Sequence, residues 1–403
     1  MSLNEEHSIK EFATLVVNSL RKLGDTTKWR FSPQSSFLFP RPEEGDGQAP
    51  SWRINLSNFH REWLVLVGDE RTAHVEKIAS RIQSKKSESI DKSPRVEIQS
   101  KLFVAVRSIA DRDAAITMHG PETAQLLFRG IVDGLEACVM VDGEQDMRRL
   151  TTGDLEEYGM GEDQAFEIGI ENLRQRSTKP MMNVGNGIYL SSWNDDYDSS
   201  RLLLPDLLQQ YIKEGQIVAF APNRKRLIIT SDQSESGMAA MVQAVENQIG
   251  EPRSLPPRML RFSDGHWSEF QPAKYAIKLN HWRTNFEAEE YGQQKSMIEE
   301  RMKNRQMDIF VASYMLGNVP LDSQPVSACT WSKGVTALLP RTNLICFVDP
   351  AKPDGAVVTS RADALPIVGK MMKSTENVLP RFYVDEFPNT EQLAQLKLHA
   401  YRR

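Results

Sequence analysis

The chain contains 403 residues, of which 40% are hydrophobic and 26% are charged, as expected for a globular protein of two or three domains. Its formal net charge of -5 at pH 7 argues against nucleic acid and anionic lipid as partners. No apolar run approaches the ~20 residues needed to cross a bilayer. The N-terminus also lacks a signal-peptide pattern, so the sequence predicts a cytoplasmic protein without a membrane segment.

The first 110 residues are predicted to form an α+β domain. Ser8 and Glu11 have the spacing of a capping box, and apolar residues then recur at helical spacing until Gly24. The runs "SSFLFP" and "SWRINL" predict two strands joined by a turn-rich loop, and Ser57 is expected to cap a helix. Because "SKLFVAVRS" has the apolar content of a buried strand, the domain is predicted to contain helix, strand, strand, helix and strand.

A second predicted domain extends over residues 111–250. The stretch "GLEACVMVDGEQDMRRLT" predicts a hairpin with an Asp142-Gly143 turn. Thr151 with Asp154 repeats the capping-box spacing at the start of the next helix. A strand at "NGIYLSSWNDD", a short helix that tolerates Pro205 in its first turn, and a hairpin at "GQIVAFAPNRKRLIITSD" complete the domain.

The segment "IGEPRSLPPR" marks the predicted start of a third domain, residues 255–403, because a helix-ending glycine is followed by three prolines. Within this domain, "NFEAEEYGQQKSMIEERMKNRQMDIFVASYM" predicts a long, polar-rich helix. Such a helix is a candidate surface for a protein partner. The alternative is that it packs on the C-terminal sheet.

Two stretches predict an internal repeat. Residues 215–232 and residues 334–349 each run from glycine through an apolar segment, a proline and a polar tip to Leu-Ile. Each is followed by a predicted helix and strand, which indicates a repeated helix-strand-strand-helix-strand unit. Pro222 and Pro340 are therefore expected at equivalent strand ends, with Leu227 and Leu344 facing equivalent cores. Chance recurrence of common elements is the alternative. The predicted fold class is α+β, with small, mostly antiparallel sheets and packed helices.

Several of these stretches resemble a known family. "GLEACVMVDGEQDMRRLTTGDLEEYGMGEDQAFEIGIENL", "GIYLSSWNDDYDSSRLLL" and "GQIVAFAPNRKRLIIT" are similar, in order and spacing, to the YtpQ-like family of uncharacterised bacterial proteins. The resemblance covers roughly residues 1–250, and residues from Leu255 onward lie outside it. It implies a bacterial cytoplasmic protein and brings no activity, cofactor or catalytic residue with it.

The acidic loop "WNDDYDSS" is the candidate site with the clearest chemistry. Asp195, Asp196 and Asp198 put three carboxylates within four residues between a strand and a helix, and such oxygens can bind magnesium or calcium. Turn formation and helix capping explain the same residues without a metal. The spacing does not match an EF-hand.

Other motifs are weaker. The cysteines Cys138, Cys329 and Cys346 lack the CxxC spacing of a zinc or redox site and are expected to be free thiols. The seven histidines form no HxxxH or HxH pair, and no phosphate-binding or nucleophile motif occurs, so no cofactor is predicted. The basic tip at residues 223–226 is typical of a solvated turn.

These observations favour a non-catalytic module that binds or scaffolds an unidentified protein partner. The absence of catalytic motifs and the long polar helix are the basis of this hypothesis. The alternative is a metal-assisted hydrolase that uses the acidic loop, with Asp195, Asp196 and Asp198 as metal ligands.

Overall fold

The computed structural model of the chain describes residues 3–33, 36–40, 54–87, 95–119, 125–143, 147–317, 320–352 and 355–401. The chain forms two compact units, and each is assembled from separate segments. Unit 1 comprises Met1–Ala105, Cys138–Thr178 and Gly250–Ser254, and unit 2 comprises Val106–Ala137, Lys179–Ile249 and Leu255–Arg403. The three continuous domains expected from the sequence stay a prediction.

Unit 1 begins with helices around a small antiparallel sheet. The elements are α1 (Leu3–Lys22), β1 (Trp29–Ser32), β2 (Phe37–Pro40), β3 (Ile54–Asn55), α2 (Ser57–Val65) and α3 (Asp69–Ser87). Strand β2 pairs with both β1 and β3. The predicted hairpin is thus present, although its loop lies outside the described residues. Phe12, Val16 and Leu20 of α1 pack with Trp63 and Ile78 in one apolar core.

Two predicted helix starts in unit 1 are wrong. Helix α1 begins at Leu3, so Ser8 lies within the helix. At α2 the side chain of Asn55 accepts a hydrogen bond from the backbone N–H of Ser57, so Ser57 is held by an upstream residue and is not the cap itself. Among its described residues, the region also contains β1 and a helix at Arg95–Lys101, neither of which the sequence predicted.

The rest of unit 1 contains α4 (Arg95–Lys101), β4 (Leu102–Ser108), β6 (Leu135–Asp142), β7 (Met147–Arg149), α6 (Thr152–Tyr158) and α7 (Glu162–Arg176). The last residues of β4, the first residues of β6 and the whole of β5 (Arg129–Val132) belong to unit 2. Strand β6 lies between β4 and β5, and β7 pairs antiparallel with β6. The predicted antiparallel pairing is therefore confirmed. Asp142 is itself paired, with Met147, and residues 144–146, between Gly143 and β7, lie outside the described residues, so the predicted Asp142-Gly143 turn stays a prediction. Helix α7 packs closely on β4 at Gly169, where a Cβ atom would come within 2.9 Å of the Val104 nitrogen.

The capping box before α6 is also confirmed. The Thr151 hydroxyl accepts from the Asp154 backbone N–H at 3.1 Å, and the Asp154 carboxylate accepts from the Thr151 backbone N–H at 2.7 Å. Arg148 forms two hydrogen bonds with the same carboxylate, which keeps the pKa of Asp154 below its ordinary value despite partial burial.

Unit 2 contains a six-stranded antiparallel sheet with the order β13-β12-β10-β11-β9-β8. Its strands are β8 (Met182–Asn183), β9 (Tyr189–Leu190), β10 (Ile217–Asn223), β11 (Arg226–Ser231), β12 (Met259–Ser263) and β13 (His266–Glu269). This part of unit 2 also contains the helices α5 (Ile109–His119), α8 (Pro205–Gln209) and α9 (Glu235–Glu246). Pro205 is the first residue of α8, as expected. Ser234 caps α9 by accepting from the Gly237 backbone N–H. Met241, Val242 and Val245 of α9 are buried against this sheet.

The remainder of unit 2 contains a long helix and two four-stranded sheets. The elements are α10 (Ala276–Asn304), β14 (Phe310–Val311), β15 (Met315–Leu316), β16 (Ser327–Ser332), β17 (Ala337–Pro340), β18 (Leu344–Val348), β19 (Val357–Ser360), α11 (Arg361–Val368), β20 (Lys373–Ser374), β21 (Arg381–Val384) and α12 (Thr390–Leu398). One sheet has the order β14-β17-β21-β20 and the other β15-β16-β18-β19.

The long helix is shorter at its C-terminal end than predicted. It ends at Asn304, and Phe310–Val311 form strand β14, because β-branched and aromatic residues fit a sheet better than a helix. Six of its side chains are buried: Leu279, Thr284, Tyr291, Gln294, Met297 and Ile298. The helix packs against α5, β14 and β15, as in the alternative interpretation of its polar sequence.

The predicted repeat is wrong in its strand pairing. Residues 217–231 form the expected hairpin, in which β10 pairs with β11. Strand β17, by contrast, pairs with β21, and β18 pairs with β16 in the other sheet. Pro222 and Pro340 therefore do not occupy equivalent positions. Leu227 and Leu344 are both buried, but in strands with different partners.

The cause of this difference lies in the residues between the strands. In the first stretch the Asn223 side chain accepts from the Lys225 backbone N–H, which closes a tight turn. In the second stretch the Asn343 side chain accepts instead from the backbone N–H and the hydroxyl of Ser327, at 3.0 and 2.8 Å. These bonds attach the start of β18 to β16 and so direct the chain into the neighbouring sheet.

No helix within the described ranges combines the length and the apolar content that crossing a bilayer requires.

Candidate functional site

The Asp195 and Asp198 carboxylates of the acidic loop accept hydrogen bonds from the loop backbone and from the nearby Arg201. Both oxygens of Asp195 accept from the buried guanidinium of Arg201, at 2.6 and 2.8 Å. Asp198 accepts from the backbone N–H groups of Asn194 and Asp195, at 3.4 and 3.3 Å. The Arg201 guanidinium also lies 4.5 Å from the ring centroid of Trp193. The loop is thus an internally bonded turn that leads into a 3-10 helix at Asp198–Leu203.

A metal ion would compete with these bonds. Asp196 is the least engaged of the three carboxylates, with Lys225 at 3.5 Å. Within the part of the chain that the structure describes, no three His, Cys, Asp or Glu residues are grouped as a metal would need. A metal role for Asp195, Asp196 and Asp198 stays a prediction, and a divalent-ion-dependent rise in Tm that disappears in Asp198→Asn is its test.

The basic tip at residues 223–226 is partly neutralised. Arg224 donates to Asp111 at 2.5 Å, and Lys225 is the cation that lies near Asp196. The tip therefore does not present a free basic patch, which agrees with its interpretation as an ordinary polar turn.

A polar pocket in unit 2 brings together residues that no sequence motif identified. Its charged lining residues are Asp133, Arg258, Arg283, Glu287, Glu290 and Arg341. The pocket encloses about 390 Å³, including space open to solvent.

Glu290 is the most perturbed group of this pocket. It lies on α10, and its carboxyl group accepts from the Ser108 hydroxyl at 2.5 Å. Burial raises the pKa of Glu290 to about 8, and the neighbouring carboxylates of Asp111, Glu287 and Asp113 raise it further. Glu290 is therefore largely protonated at neutral pH. Ser108 also accepts from the Ala110 backbone N–H, which fixes it at the start of α5.

Arg258 is the central cation of the pocket. One terminal nitrogen donates to Glu269 at 2.5 Å, and the other donates to Asp133 at 3.3 Å. Its Nε atom is buried and has no hydrogen-bond partner. Arg341 also donates to Asp133, at 3.2 Å. The guanidinium groups are thus bonded at their outer nitrogens, while an inner donor of Arg258 is left unsatisfied.

A second polar network lies next to the pocket and is entirely buried. Arg381 donates from Nε to Gln294 at 2.6 Å and from its terminal nitrogens to the carbonyl groups of Ala312, Leu338 and Tyr291. Gln294 in turn donates to the Asp113 carboxylate at 2.9 Å. Burial lowers the pKa of Arg381 to about 10. Because each of its donors is matched by an oxygen acceptor, we expect this buried network to stabilise the fold.

Unit 2 also carries an exposed apolar segment, described at residues 307–317 and 320–321. Five large apolar side chains in this segment are between 41% and 83% exposed: Met307, Phe310, Met315, Leu316 and Leu321. They lie on and around β14 and β15, each of which ends its sheet. Apolar side chains are usually scattered singly on a surface, so their concentration here marks a candidate for binding.

The comparisons with known proteins support a relationship but no activity. A UPF0354 protein of Bacillus cytotoxicus is 29% identical to this chain over 151 residues, which are 36% of this chain and 54% of that protein. The chain thus spans about half the length of the curated relative that it matches. No protein-family model matches the chain. No solved structure matches it either. The relative is bacterial and its name states no activity, while the YtpQ-like assignment stays a prediction.

Proposed function

We propose that this protein is a non-catalytic module that binds another protein through the exposed apolar segment at residues 307–317 and 320–321. The observation that carries this proposal is the exposure of five large apolar side chains, of which Phe310, Met315 and Leu316 lie on the sheet-edge strands β14 and β15 and Met307 and Leu321 lie outside them. Burial of such side chains by a partner is favourable by roughly 25 cal/mol for each Å² removed from water.

The edge of β15 offers backbone groups as well as side chains. Among the described residues, β15 pairs with β16 alone, at Met315 with Ala328 and at Leu316 with Ser327. An extended partner segment that pairs with the outer edge would form main-chain hydrogen bonds there, as in other cases of strand addition. Met315 and Leu316 are both exposed, so each would contact a side chain of the added strand.

The charges around the segment indicate the chemistry of the partner. Lys303 and Arg305 are exposed before it, and Asp308 and Asp322 are exposed within or beside it, so neither sign predominates. A partner with an apolar, uncharged strand-forming sequence fits this surface better than an acidic or basic one.

The experiment is selection of short peptides from a random library on the purified protein. The proposal predicts selected peptides rich in β-branched and aromatic residues, whose affinity falls at least about tenfold in Leu316→Lys. Leu398→Lys is the matched control, because Leu398 is 84% exposed on α12 and lies outside the segment. Selected peptides that bind Leu316→Lys and wild type equally would contradict the proposal, provided that both variants keep the wild-type circular dichroism.

A further inference from the structure

Unit 1 has an exposed apolar surface of its own, at the point where helix α2 ends and α3 begins. Leu64, Val65 and Val67 are 43%, 76% and 72% exposed. Together with the half-buried Leu66 they form a run of four adjacent aliphatic residues, which we call the apolar turn. Exposed aliphatic side chains are usually scattered singly, so a run of this kind indicates a surface that binds another molecule.

Arg71 holds the backbone of the apolar turn in place. Its Nε–H donates to the Leu66 carbonyl at 2.7 Å, and a terminal nitrogen donates to the Leu64 carbonyl at 3.2 Å. The same guanidinium lies 4.6 Å from the ring centroid of the buried Trp63. These two carbonyl groups at the end of α2 are therefore satisfied within the chain. A surface that is already ordered loses little conformational entropy when a partner covers it.

Gly68 and the start of α3 fix the other side of the apolar turn. Gly68 has a φ of +55°, a left-handed conformation that glycine adopts without strain. The Glu70 backbone N–H donates to the Val67 carbonyl, and the Arg71 backbone N–H donates to the Gly68 carbonyl, both at 3.2 Å. Helix α3 thus begins directly after the apolar turn, which brings the exposed residues Asp69 and Glu70 next to Val67.

The charges beside the apolar turn distinguish among the surfaces that could cover it. Asp69 and Glu70 are exposed, whereas the Arg71 guanidinium faces the backbone of the turn. These carboxylates would be repelled by anionic lipid. A second copy of the chain, related by a two-fold axis, would bring two pairs of carboxylates together. A basic protein surface, by contrast, gains from them.

We propose that the apolar turn docks into an apolar pocket of a partner protein whose rim carries lysine or arginine side chains. Val65 and Val67, the most exposed of its aliphatic residues, enter the pocket, and Asp69 and Glu70 pair with the basic rim. This partner surface differs from the uncharged strand that fits β15, so the two proposals are independent of each other.

The test is selection of binders for the purified full chain from a displayed library of small folded domains with a randomised concave face. We expect most independent binders to carry lysine or arginine around an apolar centre. Their affinity should fall at least about tenfold for the double variant Val65→Ser and Val67→Ser. Leu398→Ser, which removes an aliphatic side chain that is 84% exposed on α12, is the matched control. Circular dichroism verifies that each variant is folded.

Charge variants test the predicted basic rim. The double variant Asp69→Asn and Glu70→Gln should weaken the same binders by about threefold or more at low ionic strength. The control pair Glu156→Gln and Glu157→Gln, at adjacent exposed positions on α6, should leave the affinity unchanged. Leu316→Lys should also leave these binders unaffected, which distinguishes the apolar turn from the edge of β15.

Three results would overturn the proposal. The first is a set of binders with the same affinity for wild type and for the double variant at Val65 and Val67. The second is binding that does not depend on Asp69 and Glu70. The third is binding to phosphatidylcholine vesicles, or dimerisation in sedimentation equilibrium, that the two valine substitutions abolish, because a bilayer or a second copy would then cover the apolar turn.

Discussion

Glu290 makes the stability of unit 2 depend on pH. Its folded-state pKa of about 8 lies above the ordinary value of 4.5 for a glutamic acid, mainly because of burial. The folded state therefore holds a proton that the unfolded state releases between these values. The associated stability is fully present below pH 4.5 and is lost as the pH rises through about 8.

We expect Glu290→Gln to reduce this pH dependence. Wild type should lose on the order of a few kcal/mol of unfolding free energy between the two pKa values, and the variant should lose less. Urea unfolding at a series of pH values measures the difference. Asp113 has a pKa raised by burial and contributes in the same direction, so the variant retains some slope. Parallel curves for wild type and variant would show that Glu290 ionises normally in the folded state.

Arg381 is predicted to be essential for the fold. Replacement by methionine keeps much of the volume but leaves the Gln294 side chain and the Ala312, Leu338 and Tyr291 carbonyl groups without their donor. Breaking a buried charged network in this way typically costs about 3–5 kcal/mol. Arg305→Met removes an exposed arginine and should change stability by no more than about 0.5 kcal/mol. Similar denaturation midpoints for the two variants would contradict this assignment.

These residues were not predictable from the sequence because their partners are distant along the chain. Ser108 and Glu290 are separated by 182 positions, and Asp113 and Gln294 by 181. A polar residue on an amphipathic helix is predicted to be solvent-exposed unless its neighbours in space are known. Tyr291, directly after Glu290, is an aromatic residue in a polar run and, like Met297 and Ile298, is a local sign that one face of α10 is buried.

At the scale of elements, the capping box before α6 permits a direct measurement. Thr151→Ala removes the acceptor for the Asp154 backbone N–H and should lower the unfolding free energy by about 1 kcal/mol. Thr151→Ser retains the hydroxyl and should restore most of the loss. Chemical denaturation of both variants tests this, and an equal loss in the two would assign the effect to the Thr151 methyl group.

Elements with local signals were predicted well from the sequence. Helix α9 follows its capping serine, and the hairpin of β10 and β11 follows the Asn223 turn, because both depend on residues within a few positions. Strands β17 and β18 show where such reasoning fails. Their lengths and composition match a hairpin, but the pairing is decided by Asn343 and Ser327, which are 16 positions apart. The acidic loop shows a similar limit, because the sequence does not reveal that the Arg201 guanidinium lies within hydrogen-bonding distance of the Asp195 carboxylate.

At the scale of the whole molecule, the segment around Gly250 is predicted to be the preferred site of limited proteolysis. Ile249, Gly250 and Glu251 are exposed, whereas Arg253 is held by a hydrogen bond with Glu62. Thermolysin should therefore give fragments near 250 and 150 residues on a denaturing gel. Because both units draw on residues before and after the cut, we expect the fragments to elute together in native size-exclusion chromatography. Separate elution would support the continuous domains predicted from the sequence.

The interleaving of the two units also determines the order in which they can form during synthesis. Every segment of unit 1 has left the ribosome once residue 254 has emerged, so this unit can fold while translation continues. Unit 2 cannot complete its fold at that stage, because its residues 106–137 and 179–249 pack with β12, α10 and the two C-terminal sheets, which are synthesised later. Until then we expect the apolar strands β10 and β11 to lack part of their cover and to leave apolar surface exposed in the nascent chain. A gene truncated after residue 254 should accordingly yield an aggregating product and not a stable N-terminal fragment.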